Sequence, residues 1–185
     1  GAQTARRILD ANGLENIRIE HIRGNLTDHY DPSAGVVRLS DSVYSSDSVA
    51  AMGVAAHECG HAVQHATHYA PLVFRNVIIP VTNFGSRLSI PLFMLGLIFN
   101  REMLARLGIV LFALVAVFQF VTLPVEFNAS ARALATLENF GYLSSSELRG
   151  SRKVLKAAAL TYVAALLISL TQLLRLLLLS RNRRD

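Results

Sequence analysis

The spacing of apolar positions changes character along the chain. Residues 1–70 mix charged, turn-forming and apolar side chains, whereas from about Val77 onward long apolar runs dominate. In the first part, Thr4–Asn12 reads as a short helix stopped by Gly13. Ile17–Ile22 sets Ile17, Ile19 and Ile22 against Arg18, Glu20 and His21, the alternation of a strand. Gly24–Gly35 carries Asn, Asp, Pro and Gly and is expected as a loop, followed by a second short strand over Val36–Leu39. Asp47 or Ser46 is placed to cap a helix from about Val49 to His68, with Pro71 at or just past its end.

Three runs then approach spanning length. Val77–Phe99 is apolar apart from Asn83 and Arg87, Leu107–Val125 has no charge, and Ala157–Leu179 is broken only by Arg175. Crossing about 30 Å of hydrocarbon takes about 20 apolar residues in a helix. Asn100–Arg106 forms a polar break between the first two runs, Glu126–Phe140 is amphipathic, and Ser144–Ser146 resembles a cap before Glu147. The expected fold class is a mainly α membrane protein: a water-facing catalytic part with a small β-sheet, plus about three transmembrane helices. Its parts are residues 1–71, a transmembrane hairpin over 72–125, a helix and connecting loop over 126–156, and a last transmembrane helix with a basic tail over 157–185. A soluble bundle is the lesser alternative, because one core of this size cannot cover three such runs.

Composition supports the division. Hydrophobic residues make up 52% and charged residues only 17%, against about 25% charged in soluble domains. The net charge of +5 is not a nucleic-acid signature, because Arg101, Arg106, Arg175, Arg181, Arg183 and Arg184 flank apolar runs, as membrane helices require. The lone Cys59 excludes an intramolecular disulfide.

The candidate chemistry lies in His57-Glu58-Cys59-Gly60-His61, an H-E-x-x-H string inside a predicted helix. Residues four apart point the same way, offset by about 40°, so both imidazoles can take one Zn²⁺. Glu58 can then act as general base toward a water whose pKa the metal lowers to about 7. A catalytic zinc needs a third protein ligand. Gln64 and Thr67 replace the Gly and His of the metzincin pattern, and Cys59 points away from His57. His65 lies about 12 Å along the axis from His57, too far to share one metal; His65 and His68 read as supporting or surface residues. Glu102, Glu126, Glu138 and Glu147 remain. Two crossings separate His57 from Glu126 and return the chain to its starting side, while Glu102 sits at the hairpin tip on the wrong side. Topology therefore favours Glu126.

The segments Leu26-Thr27-Asp28-His29-Tyr30-Asp31-Pro32, Val54–His65 around the metal motif, and Leu123-Pro124-Val125-Glu126-Phe127-Asn128-Ala129-Ser130 resemble the YugP-type neutral zinc metallopeptidases of bacteria over nearly the whole chain. Members of that family usually begin with a further N-terminal membrane helix, and Gly1 in place of Met fits a missing start. A more distant similarity is to HtpX-type membrane proteases, which place a transmembrane hairpin between H-E-x-x-H and a ligand glutamate in E-[FY]-x-A-D. That resemblance implies a gluzincin-like catalytic part, Glu126 as third ligand, a bacterial multi-pass membrane location and a cytoplasmic catalytic face. Ser130 stands where the pattern has Asp, which puts a supporting carboxylate there in question.

The expected function is zinc-dependent peptide-bond hydrolysis at the membrane surface, on membrane proteins or their unfolded segments. As in zinc proteases of this fold, Val36–Leu39 is expected to pair with extended substrate, weighed against a plain structural edge, and His29 is a candidate donor to the transition-state oxyanion, weighed against a loop-stabilising role. The alternatives are a non-catalytic membrane scaffold with a zinc site and a zinc-dependent lipid-amide hydrolase. An intact Glu58 disfavours the scaffold, which has no need of a base.

Overall fold

The computed structural model describes residues 1–141 and 143–181; Arg183 and Arg184 of the basic tail lie outside them. The elements run α1 (Ala2–Ala11), β1 (Arg18–His21), β2 (His29–Asp31), β3 (Val36–Leu39), α2 (Asp41–Tyr44), α3 (Val49–Ala66), α4 (Ala70–Ile98), α5 (Glu102–Asn139) and α6 (Ser145–Arg181). The chain divides into two compact units, residues 1–72 with 125–159, and residues 73–124 with 160–185.

In the first unit α3 is the central helix. Its N-cap is Ser48, whose hydroxyl accepts the Ala51 N–H at 3.2 Å, rather than the Asp47 or Ser46 expected. Small residues line its buried positions: Gly53, Ala55, Ala56, Gly60 and Ala62. They leave room for Ile8 and Leu9 of α1, Val37 and Leu39 of β3, and Ala133 and Leu137 of α5, which share one core with α3. Each large side chain buried there stabilises the fold by roughly 1.5–3 kcal/mol. Gly60 permits the closest approach: a Cβ built on it would lie 2.7 Å from the Ala129 carbonyl oxygen.

The sheet order is β1-β3-β2, with β1 parallel and β2 antiparallel to β3. Two expectations are corrected here. The Gly24–Gly35 stretch is not all loop, because His29–Asp31 forms β2, a polar three-residue strand too short for alternation to reveal. And β3 is the central strand, with both edges already paired, so it cannot take a substrate strand.

The second unit is helical. Residues 73–98 of α4 and 102–124 of α5 form an antiparallel pair whose turn contains Asn100 in the left-handed region, φ 51°. A Cβ on Gly96 would lie 2.3 Å from the Ala105 nitrogen, and one on Gly108 would lie 2.5 Å from the Ser89 carbonyl oxygen. Glycines at such contacts let membrane helices approach closely. Phe93, Ala105 and Leu176 form a small core, while Phe84, Phe120 and Ile168 are 64%, 65% and 70% exposed. Among the described residues three helices, α4, α5 and α6, are long and apolar enough to cross a membrane. The expected apolar runs proved to be parts of longer helices. Helix α4 already starts at Ala70 with Pro71 in its first turn, and α5 runs unbroken through the amphipathic stretch to Asn139. The Ser144 cap is present as a capping box, with the Ser144 N–H and hydroxyl both donating to Glu147, at 2.8 and 2.7 Å.

Candidate metal centre

Helical spacing brings His57 and His61 onto one face of α3, their ring centroids 4.7 Å apart and the rings nearly perpendicular. Glu126 of α5 completes the group. Its Oε2 lies 3.3 Å from His57 Nε2 and 3.6 Å from His61 Nε2, and the potential ligand atoms of all three residues lie within 4.8 Å of one another. The Glu126 side chain is 3% exposed, against 15% for His57 and 13% for His61. The carboxylate is therefore the most deeply buried of the three groups. Burial by itself disfavours charging His61, but Glu126 and the nearby Glu58 outweigh it and hold the His61 pKa above its ordinary value.

The donor set fits zinc. Two imidazole nitrogens and one carboxylate oxygen are among its preferred ligands, and atoms bound at about 2 Å around a tetrahedral ion lie roughly 3.3 Å apart. Both histidines turn Nε2 toward Glu126 and use Nδ1 elsewhere. His61 Nδ1 contacts Gln64 Oε1 at 3.0 Å, and His57 Nδ1 contacts Ser130 Oγ at 3.1 Å. Occupying the second ring nitrogen fixes ring orientation and tautomer in metal-binding histidines. Ser130 thus meets a histidine from the position where the HtpX pattern has Asp, with a neutral hydroxyl in place of a carboxylate.

Glu58 follows His57 on α3 and is largely buried. Its Oε2 accepts the backbone N–H of Tyr30 at 3.1 Å, so the unexpected strand β2 is what holds the candidate base. The Tyr30 hydroxyl shares a 2.9 Å hydrogen bond with His65 Nδ1, and burial, aided by the Asp31 carboxylate, raises the phenol's pKa and keeps it neutral. Residues around Tyr30 fasten the strand: Asp28 accepts from the Ser40 N–H and hydroxyl, and Asp31 pairs with Arg38 at 2.7 Å.

His29 bonds the Thr27 carbonyl through Nδ1 at 2.8 Å, and its Nε2 lies 3.4 Å from Arg38 Nη1. Both ring nitrogens thereby have partners within the sheet region. His65, in the last turn of α3, and His68, past the helix end at Ala66, are exposed. Cys59 is fully buried and faces α1, its Sγ 3.6 Å from the Ala5 carbonyl oxygen; burial pushes its thiol far above the usual range. Tyr30, Gln64 and Ser130 join the site only through the fold. The helical spacing of Gln64 from His61, three positions on, and the place of Ser130 in the E-[FY]-x-A-D pattern are the sequence signals for two of them.

A histidine pair on one helix and a buried glutamate from a second together form a group that could hold a metal ion. The chain belongs to the family described as "Putative neutral zinc metallopeptidase", which it matches over residues 1–181. It is 52% identical to the "Putative membrane protease YugP" of Bacillus subtilis (strain 168), with the identity spanning 100% of this chain and 82% of that protein. No solved structure matches the chain.

Proposed function

We propose that this protein is a zinc-dependent membrane metallopeptidase that hydrolyses peptide bonds close to the membrane surface, with His57, His61 and Glu126 as metal ligands and Glu58 as general base. The observation that carries this reading is the convergence of both Nε2 atoms on one Glu126 oxygen. A bound zinc ion would acidify a water molecule and polarise the scissile carbonyl. The chain's own residues supply the rest. Glu58 accepts a proton from the attacking water and returns it to the leaving amine nitrogen. The Tyr30 N–H holds one Glu58 oxygen in place, so the base is aimed before substrate arrives. Gln64 and Ser130 keep the imidazoles turned toward the metal.

Glu126 directly follows the uncharged stretch Leu107–Val125, which supports a site at the membrane surface. Membrane proteins or their unfolded segments are the proposed substrates, and by resemblance to HtpX-type proteases the catalytic face is cytoplasmic. The test compares wild type with Glu58→Gln on an unfolded casein-type substrate and on a lipid amide. The expected result is casein cleavage that falls by about 10²–10⁴-fold in Glu58→Gln while bound zinc is retained. Residual cleavage within a few-fold of wild type removes Glu58 from the mechanism. Turnover of the lipid amide alone would make the enzyme an amidohydrolase of lipids instead.

A further inference from the structure

Gln64 is fully buried, and a buried primary amide must satisfy an oxygen and two N–H groups. It does so entirely against the metal centre. Its Nε2 lies 2.9 Å from the Val125 carbonyl oxygen and 2.9 Å from Asn128 Oδ1, while its Oε1 faces His61 Nδ1 at 3.0 Å. Amide oxygen and nitrogen are assigned from their partners, and here the partners leave one choice. The Val125 carbonyl can only accept. Arg132 Nε, which can only donate, lies 2.8 Å from the same Asn128 atom, so that atom is the oxygen. The group facing these two oxygens is therefore the Gln64 NH₂. Its oxygen then requires a proton on His61 Nδ1, so in the neutral ring, the form that binds a metal, the His61 lone pair lies on Nε2, the nitrogen directed at Glu126.

The same amide also fixes the third candidate ligand. Val125 and Asn128 flank Glu126 on α5, and Gln64 bonds both. One side chain thus links His61 to the turn of α5 that carries the carboxylate. We infer that Gln64 is the positioning residue of the metal centre: it sets the His61 tautomer and clamps the Glu126-bearing turn of α5 against α3, so the two ligands are held as one unit. The inference rests on the zinc reading above.

The test measures zinc affinity of the full chain in detergent by competition with a chromophoric chelator, alongside the visible spectrum of the Co²⁺-substituted protein. Gln64→Met keeps volume but removes every hydrogen bond. Asn128→Ala removes one anchor at a half-buried position and spares the bond to His61. Gln64→Met is expected to weaken zinc binding by about 10–100-fold and to alter the Co²⁺ bands, since residues that orient ligands contribute on that scale. Asn128→Ala should weaken it by a smaller factor. The double variant should be no weaker than Gln64→Met, because Asn128 acts through Gln64. Zinc affinity within twofold of wild type with unchanged Co²⁺ bands in Gln64→Met overturns the inference. Should that variant not fold, wild-type affinity in Asn128→Ala does so. A wild-type chain that fails to bind one zinc would instead overturn the metal reading itself.

Discussion

The two units of this chain use close helix contacts for different ends. In the unit of residues 1–72 and 125–159, polar groups are buried and paired around a site: Gln64 to His61, Ser130 to His57, the Tyr30 N–H to Glu58. In the unit of residues 73–124 and 160–185 the order is inverted. Large apolar side chains such as Phe84, Phe120 and Ile168 face outward, and hydroxyls such as Thr82, Ser89 and Thr122 are spent on carbonyls of their own helix. The first pattern suits water outside and chemistry inside. The second suits hydrocarbon outside, where backbone and side-chain polar groups must be satisfied internally. Glycine serves both, bringing Gly60 against Ala129 beside the histidines and Gly96 against Ala105 in the apolar unit.

The contrast is broken most directly by an all-or-none accessibility experiment. In a Cys59→Ala background, single cysteines at Ser45 and Asn100 are expected to react with an impermeant thiol reagent from opposite sides of the membrane. Labelling of both from one side would mean that residues 77–99 and 107–125 do not cross as a pair, and the apolar unit would need another explanation. Next in size, Glu126→Ala should abolish stoichiometric zinc binding while Glu138→Ala keeps it, as measured by metal analysis of the purified protein. Zinc retained in the former and lost in the latter would move the third ligand to Glu138.

The smallest effect compares the glycines. Gly60→Ala and Gly96→Ala each place a methyl group against backbone and should each destabilise by about 1–3 kcal/mol, read as a lowered thermal midpoint. Only Gly60→Ala should also weaken zinc binding, because displacing α3 from Ala129 moves both histidines relative to Glu126. Equal zinc affinities in the two variants would show that the metal centre tolerates movement between α3 and α5.

Much of this protein is legible locally. Four-residue spacing on a helix determines that His57 and His61 share a face, and uncharged runs of spanning length announce the apolar helices, because both signals need only the chain's own periodicity. An even number of crossings, expected from the apolar runs alone, favours Glu126 over Glu102, and Glu126 Oε2 lies 3.3 and 3.6 Å from the two Nε2 atoms. What required the tertiary structure were contacts without a local signature. Strand β2 is three polar residues that become a strand only by pairing with β3. The central place of β3 follows from that pairing, which is why a substrate-binding edge was wrongly expected there. Ser130 meets His57, and Gln64 meets Val125 and Asn128, across separations of 73, 61 and 64 residues. Periodicity cannot encode such meetings; they arise because Gly60 lets α3 approach α5 to backbone contact. By itself the sequence marked His57, His61 and Glu126 as side chains that could hold a metal. The packing of α3 on α5 decided how those side chains are oriented, since hydrogen bonds act over about 3 Å and only the folded chain sets distances on that scale.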